Sequence, residues 1–266
     1  MSPRIITLLT DFGSEDYFVG AMKGTILTRS PKSVLVDITH TIPPQDVRAA
    51  AFTLNGAYPY FPAGSIHLAV VDPGVGSERR PVLVQAAAHL FVGPDNGLFT
   101  LILEEITEAR IRHLTNTAYF PLHRSSTFHG RDIFAPVAAA LAEGVPPENF
   151  GPTIRDPVRL EIARGESMAD GSIAGMIIHV DHFGTCVTNL ACNQLSSFTS
   201  TCPFCLEVKE FQIRKLARCY DEGAMQPGEP FLVCGSAGML EISVWSSSAA
   251  RELKIKVGEP VLLVRA

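Results

Sequence analysis

Four aspartates stand just past short apolar runs: Asp11 after Arg4–Thr10, Asp16 on the same loop, Asp72 after Leu68–Val71, and Asp181 in Val-Asp-His-Phe-Gly. Loops at strand ends gather along one edge of an open sheet, so carboxylates there can converge. Converging carboxylates suit three kinds of chemistry: holding a divalent cation, accepting from a pair of ribose hydroxyls, or facing a cationic substrate. Each aspartate alone also suits a turn or a helix cap. The densest stretch is Ser65 to Pro81, where the buried run ends on Asp72, Pro73-Gly74 breaks the strand, and Arg79-Arg80 follow. It sets a carboxylate and a cation on one loop. His129, between a small polar run and Gly130, adds an imidazole whose ordinary pKa of about 6.5 suits proton handling.

Several machineries are missing. Gly74-Val-Gly76-Ser-Glu-Arg79 lacks the Gly-Lys-Ser/Thr of a P-loop and the third glycine of a dinucleotide fingerprint. There is no Gly-x-Ser-x-Gly elbow and no His-Glu-x-x-His. All six cysteines fall in the second half, with one Cys-x-x-Cys pair, Cys202 to Cys205. A structural zinc site wants a second such pair, so free thiols are expected, with no metal and no cofactor. A net charge of −5 gives no basic face for nucleic acid. No apolar run reaches membrane-spanning length, and Met1 to Thr7 lead into a strand without the features of a signal peptide. The expected compartment is the cytosol, with no membrane partner.

The elements that must position these residues alternate in the first half. Strands are read at Arg4–Thr10, Ser33–Ile38 and Ile66–Val71, with a hairpin at Val82–Ala86 and Leu90–Gly93. Helices are read at Val19–Leu27, Gln45–Tyr58, Leu98–Ile106 and Ile133–Leu141, the last with Ser125 to Thr127 as a possible cap. This alternation predicts an α/β domain with a mainly parallel, Rossmann-like sheet. The proline- and glycine-rich stretch Gly144–Pro157 reads as a boundary. Beyond it, strands are read at Ile173–Val180, Phe204–Lys215, Glu229–Cys234, Leu240–Trp245 and Pro260–Val264. They are joined by turns apart from a short helix at Ala249–Leu253, which predicts a smaller, antiparallel, barrel-like β domain. The organisation expected is 1–150, a linker 151–172, and 173–266.

Taken in order, the motifs resemble one family. They are Thr10-Asp11-Phe12-Gly13 with Asp16, Gly20 and Lys23-Gly24; Asp37-Ile-Thr39-His40 with Pro44 and Asp46; and Val71-Asp72-Pro73-Gly74-Val75-Gly76 with Arg79-Arg80. Then come Gly93-Pro94-Asp95-Asn96-Gly97, Thr127-Phe128-His129-Gly130-Arg131-Asp132 with Phe134-Ala135-Pro136, Asp181-x-Phe183-Gly184, and Gly235-Ser236-x-Gly238-x-Leu240-Glu241-Ile242. The family is the S-adenosyl-L-methionine (SAM) hydroxide adenosyltransferases, or SAM hydrolases, relatives of the SAM-dependent fluorinating and chlorinating enzymes.

The resemblance implies an N-terminal α/β domain, a C-terminal β domain and a homotrimer with sites between subunits. The implied reaction is SAM plus water giving adenosine and L-methionine, with SAM as substrate. It makes Asp72, Arg79 and His129 a triad that holds water or hydroxide. Asp11 would hold the ribose hydroxyls, Asp16 and Asp181 would lie near the methionine amine, Ser236 would touch the methionine, and Phe183 would stack on adenine. Halogenating relatives carry other residues at the Asp72 and His129 positions, which favours hydrolysis over halide transfer. Thr185, Ala237 and Trp245 depart from the family pattern, at positions of the adenine and methionine-carboxylate contacts. Attack at ribose C5′ displaces a neutral thioether from a sulfonium, so the demanding step is activating water. Either Asp72 or His129 could be the base, with Arg79 favouring hydroxide electrostatically. Competing readings are halide transfer on the same fold, a non-catalytic adenosine or SAM binder, and a metal-dependent hydrolase built on the aspartates.

Overall fold

The computed structural model describes residues 4–199, 203–221 and 226–265. The chain forms two compact units, Met1–Leu160 and Glu161–Ala266.

The first unit holds seven strands: β1 (Ile5–Thr10), β2 (Val34–Thr39), β3 (Ile66–Val70), β4 (Pro81–Ala86), β5 (His89–Pro94), β6 (Arg110–His113) and β7 (Thr153–Ile154). Its helices are α1 (Phe18–Arg29), α2 (Val47–Ala57), α3 (Thr100–Glu105) and α4 (Ala135–Ala142). The sheet order is β2-β1-β3-β5-β4-β6-β7. The first four strands run parallel, and β4, β6 and β7 extend the sheet antiparallel. The sheet is therefore mixed, with its parallel part carrying the aspartate-bearing strand ends. Sequence reading missed β6 and β7, because both are short and Arg110-Ile-Arg-His113 carries a single apolar residue.

The apolar runs in β1 and β3 are continuous because both faces of the sheet are covered. Ile6, Leu8, Ile66, Leu68 and Val70 join a core beneath α1 and α4. Leu9, Ala69 and Val71 join a second core that includes α2 and α3 residues on the opposite face. Each such buried Leu or Ile contributes about 1.5–3 kcal/mol relative to exposure. Asp46 caps α2 by accepting from the Ala49 N–H at 2.9 Å. The expected helix at 98–106 is shorter, Thr100–Glu105. Instead of capping α4, Ser125 and Thr127 hydrogen-bond each other at 3.0 Å. The helix is preceded by a π-helical turn, Gly130–Phe134.

The second unit contains β8 (Glu166–Ser167), β9 (Ile173–Val180), β10 (Cys186–Ala191), β11 (Phe204–Val208), β12 (Phe211–Ile213), β13 (Leu216–Ala217), β14 (Pro230–Cys234), β15 (Met239–Val244) and β16 (Pro260–Arg265), with helices α5 (Cys192–Thr199) and α6 (Ala249–Glu252). Its sheet runs β12-β11-β16-β9-β10-β15-β14-β13, with β8 on β9. Three expectations are corrected here. Strand β10 and helix α5 fill a stretch read as turns, because Thr188 and Asn189 interrupt the apolar alternation that would mark a strand. Phe204–Lys215 is a hairpin, β11 and β12, turning at Lys209 with φ of 51°. The sheet is not wholly antiparallel, since β13 pairs parallel with β14. Among the described residues no helix is long and apolar enough to cross a membrane.

Candidate active site

Parallel pairing places Asp11 and Asp72 at neighbouring strand ends. Thr10 of β1 is in register with Val70 of β3. Asp11 and Asp72 follow these residues by one and two positions, so both leave the same C-terminal rim of the sheet. The two carboxylates line one cleft of about 380 Å³, together with Phe12, Phe18, Pro44, Gln45, Pro73 and Val75. One Asp11 oxygen accepts from the Gln45 N–H at 2.8 Å. The Asp11 loop is held from behind by His40, whose Nδ1 lies 2.8 Å from Thr10 Oγ1 and whose carbonyl accepts from the Gly13 N–H at 2.8 Å. Lys23 and His40 both reach Asp37, at 2.6 and 3.1 Å.

Asp72, Arg79 and His129 form one connected chain. Arg79 Nε donates to Asp72 Oδ1 at 2.8 Å, and Nη2 donates to Asp72 Oδ2 in a bidentate pair. The same Nη2 lies 2.7 Å from His129 Nδ1. The pair is nearly dry, the Arg79 and Asp72 side chains being 9% and 5% exposed. Arg79 packs over the Phe134 ring, 5.2 Å from its centroid. Arg79 Nη1 is buried and has no hydrogen-bond partner among the described residues. A guanidinium nitrogen only donates, so His129 Nδ1 accepts, and the ring is neutral with its proton on Nε2. Burial and the Arg79 charge push the His129 pKa down, while Asp72 and Asp132 push it up less.

Two close approaches fix the loop that carries Asp72 and Arg79. Gly76 has φ of +79°, and a Cβ there would lie 2.4 Å from the Ser126 carbonyl oxygen, so only glycine fits. Asn96 Nδ2 donates to the Val71 carbonyl at 2.8 Å. The His129 segment is anchored by Phe128, which meets Phe12 and Phe18 edge-on at 6.0 and 5.2 Å. Arg80, beside Arg79 in sequence, does different work. It pairs with buried Asp95 at 2.7 Å and with Asp156 at 3.0 Å.

The remaining candidates sit on other elements. Asp16 is exposed on the loop before α1. Asp181, Phe183 and Ser236 belong to the second unit. Asp181 closes the turn between β9 and β10, with Oδ1 accepting from the Thr185 N–H at 2.8 Å. Thr185, one of the departures, is thus tied into that turn through its backbone. Phe183 is 78% exposed, and Ser236 is exposed on the β14–β15 loop. That loop rests on Glu241, a residue given no separate role by sequence reading. A Cβ at Gly235 would collide with the Glu241 carboxylate, and Tyr220 donates to Glu241 Oε2 at 2.6 Å. Burial raises the Glu241 pKa, and Asp181 adds to the rise against the Tyr220 hydrogen bond. Its signal in the sequence was a glutamate inside a mostly apolar strand. Trp245 packs against Ala217, Phe231 and Val233.

Among the described residues, no group of three or more His, Cys, Asp or Glu side chains is placed to hold a metal ion. Cys186, Cys192, Cys205, Cys219 and Cys234 are free thiols, and Cys202 lies outside the described residues.

A seven-stranded α/β unit with an Asp–Arg–His chain at the rim of its parallel strands, followed by a β unit, defines the class. Residues 6–151 match the SAM hydroxide adenosyltransferase N-terminal domain, and residues 175–262 match the C-terminal domain of the same name. The chain is 38% identical to a Thermus thermophilus protein named (R)-S-adenosyl-L-methionine hydrolase, over 98% of this chain and all of that one (100%). A protein from Actinoplanes named fluorinase is 26% identical, over 98% of each chain. The crystal structure of an uncharacterized conserved protein from Thermotoga maritima superposes with a TM-score of 0.90 at 34% identity, covering 98% of this chain and 100% of that one. This chain belongs to the SAM hydroxide adenosyltransferase family.

Proposed function

We propose that this protein hydrolyses SAM to adenosine and L-methionine. Water or hydroxide attacks ribose C5′ in line with the sulfonium, the O–C5′ bond forms as C5′–S breaks, and methionine leaves as a neutral thioether. The observation that carries this reading is the Asp72–Arg79–His129 chain. Because His129 Nδ1 is engaged by Arg79, its Nε2–H and the unpaired Arg79 Nη1 are the donors left for the attacking oxygen. Asp72 is then the acceptor among the three, and the water proton goes to it. Fixed donors in a dry site favour hydroxide without reorganising during reaction. Identity also ranks the named relatives, 38% to a hydrolase against 26% to a fluorinase.

The other roles follow as part of the same reading. Asp11 accepts from the ribose hydroxyls, since a carboxylate with one oxygen held by Gln45 keeps lone pairs for both. Asp16 and Asp181 hold the methionine amine, Ser236 contacts the methionine, and exposed Phe183 stacks on adenine. The protein works in the cytosol as a homotrimer, with Asp181, Phe183 and Ser236 of one subunit completing the site of the next. SAM is the substrate, and no cofactor takes part.

The test is incubation with the separate (R) and (S) sulfonium epimers of SAM in chloride-free buffer containing 18O-water, followed by mass spectrometry of the nucleoside. Adenosine labelled at the 5′ oxygen supports the proposal, and the epimer that yields it defines the stereochemical substrate. SAM bound but unconverted overturns it in favour of a binding protein.

A further inference from the structure

The backbone just after His129 departs from α geometry. Ala135 donates its N–H to the Gly130 carbonyl, five residues back. Pro136 follows in the first turn of α4. A proline has no N–H to give, and in an α-helix its ring presses on the carbonyl four residues earlier, here that of Asp132. One extra residue in the turn relieves that clash, and π insertions of this kind recur at functional sites. The insertion also changes which side chains share a face. Residues five apart point about 140° away from each other in an α-helix, whereas the wider π turn narrows that angle and brings them closer to one face. His129 and Phe134 are five apart, and both meet the Arg79 guanidinium: His129 at 2.7 Å through Nη2 and the Phe134 ring at 5.2 Å from its Cζ. Phe134 is fully buried, at 0% exposure.

We propose that Phe134, presented by the Pro136-driven π turn, is a positioning residue that holds the Arg79 guanidinium so that Nη2 bridges Asp72 and His129 while Nη1 stays unpaired for the reacting oxygen. The ring's negative face attracts the cation, and the surrounding apolar core denies Arg79 another partner. As far as activity is concerned, this inference rests on the proposed hydrolysis.

The expected consequence runs through His129. The charged groups facing its ring are Arg79 and Asp72 from the loop after β3, Asp132 from the π turn, and Arg124 from the preceding segment. An Arg79 free to swing away leaves Asp72 and Asp132 acting on the imidazole with less opposition. The ring then holds its proton to higher pH, and the acid limb of the rate profile moves up with it.

Phe134→Leu empties part of the core and can unfold the protein, so the decisive series uses mono-, di- and trifluorinated phenylalanines incorporated at position 134. Fluorination weakens the ring's attraction for a cation with little change in volume. Two readouts are taken on the full chain: steady-state SAM hydrolysis, and NMR titration of the His129 ring without substrate. The expected result is a stepwise fall in kcat, about threefold to tenfold across the series, with KM for SAM within about twofold and His129 titrating at progressively higher pH. Invariant kcat and invariant His129 titration overturn the proposal and leave Phe134 as core packing. If the unmodified protein does not convert SAM yet His129 still follows fluorination, the proposed function fails and the positioning role stands. If SAM is converted with no trend across the series, the positioning role fails and the function stands.

Discussion

Arg79 Nη2 lies 2.7 Å from His129 Nδ1. In the proposed mechanism this contact gives opposite jobs to the two residues on either side of the guanidinium. His129 must be neutral to accept, which leaves its Nε2 as a donor, while Asp72 is the anion.

Unequal losses are therefore expected at the two positions. Asp72→Asn removes the proposed proton acceptor and the counter-charge for Arg79, and turnover should fall by at least about a hundredfold. His129→Gln keeps an amide donor and should cost about tenfold. Single-turnover adenosine formation, with SAM binding followed by calorimetry, separates chemistry from affinity. Equal losses, or the reverse order, would make His129 the base.

The pH profile follows with a definite sign. Burial and Arg79 lower the His129 pKa below its ordinary 6.5. Activity should hold through neutrality and fall as pH drops through that lowered value, because a protonated ring cannot accept from Arg79. The limb should vanish in His129→Gln, which a pH series of kcat/KM for the two proteins reads directly.

The neighbouring arginines should separate cleanly. Arg80→Ala strands the buried Asp95 carboxylate, which among the described residues keeps the Val158 N–H at 2.9 Å. A loss of about 1–3 kcal/mol of stability is expected, with kcat per folded molecule within twofold of the parent. Arg79→Ala should do the opposite to activity, lowering it by at least about a hundredfold. Thermal melts paired with active-site-normalised rates decide the matter.

The largest share of a stability slope in acid should trace to the core of the first unit. His67 is fully buried, with Nδ1 2.8 Å from Thr7 Oγ1 and Nε2 3.1 Å from His89 Nδ1. Burial, aided by His89, pushes its pKa from 6.5 down to about 3. A depressed folded pKa means that the unfolded chain binds the proton first. The stability tied to neutral His67 is therefore complete above about 6.5 and drains away as pH falls toward 3, by on the order of a few kcal/mol. Denaturant midpoints for wild type and His67→Gln should converge in slope below pH 6.5 only if another group carries the effect. A flatter profile in the variant is the expected outcome.

Local chemistry made much of the protein legible from the chain alone. Apolar runs ending on Asp11 and Asp72, proline and glycine after Asp72, and the hairpin at 82–93 all follow from short-range preferences, and the structure has β1, β3, β4 and β5 there. The candidate triad could be named because its motifs lie in a recognisable order. Pairing and packing decided the rest. Only the parallel register of Thr10 with Val70 puts Asp11 and Asp72 on one rim. Equivalent-looking Arg79 and Arg80 diverge because one side chain turns toward Asp72 and the other toward Asp95, a difference set by partners 15 residues or more away in the case of Arg80. Strand β10 and the parallel β13–β14 pair escaped notice, since sheet partners can override a weak local alternation. The protonation pattern of the triad also belongs to tertiary structure: composition supplies an imidazole, but its neutrality and tautomer come from a buried guanidinium brought to it across 50 residues of chain.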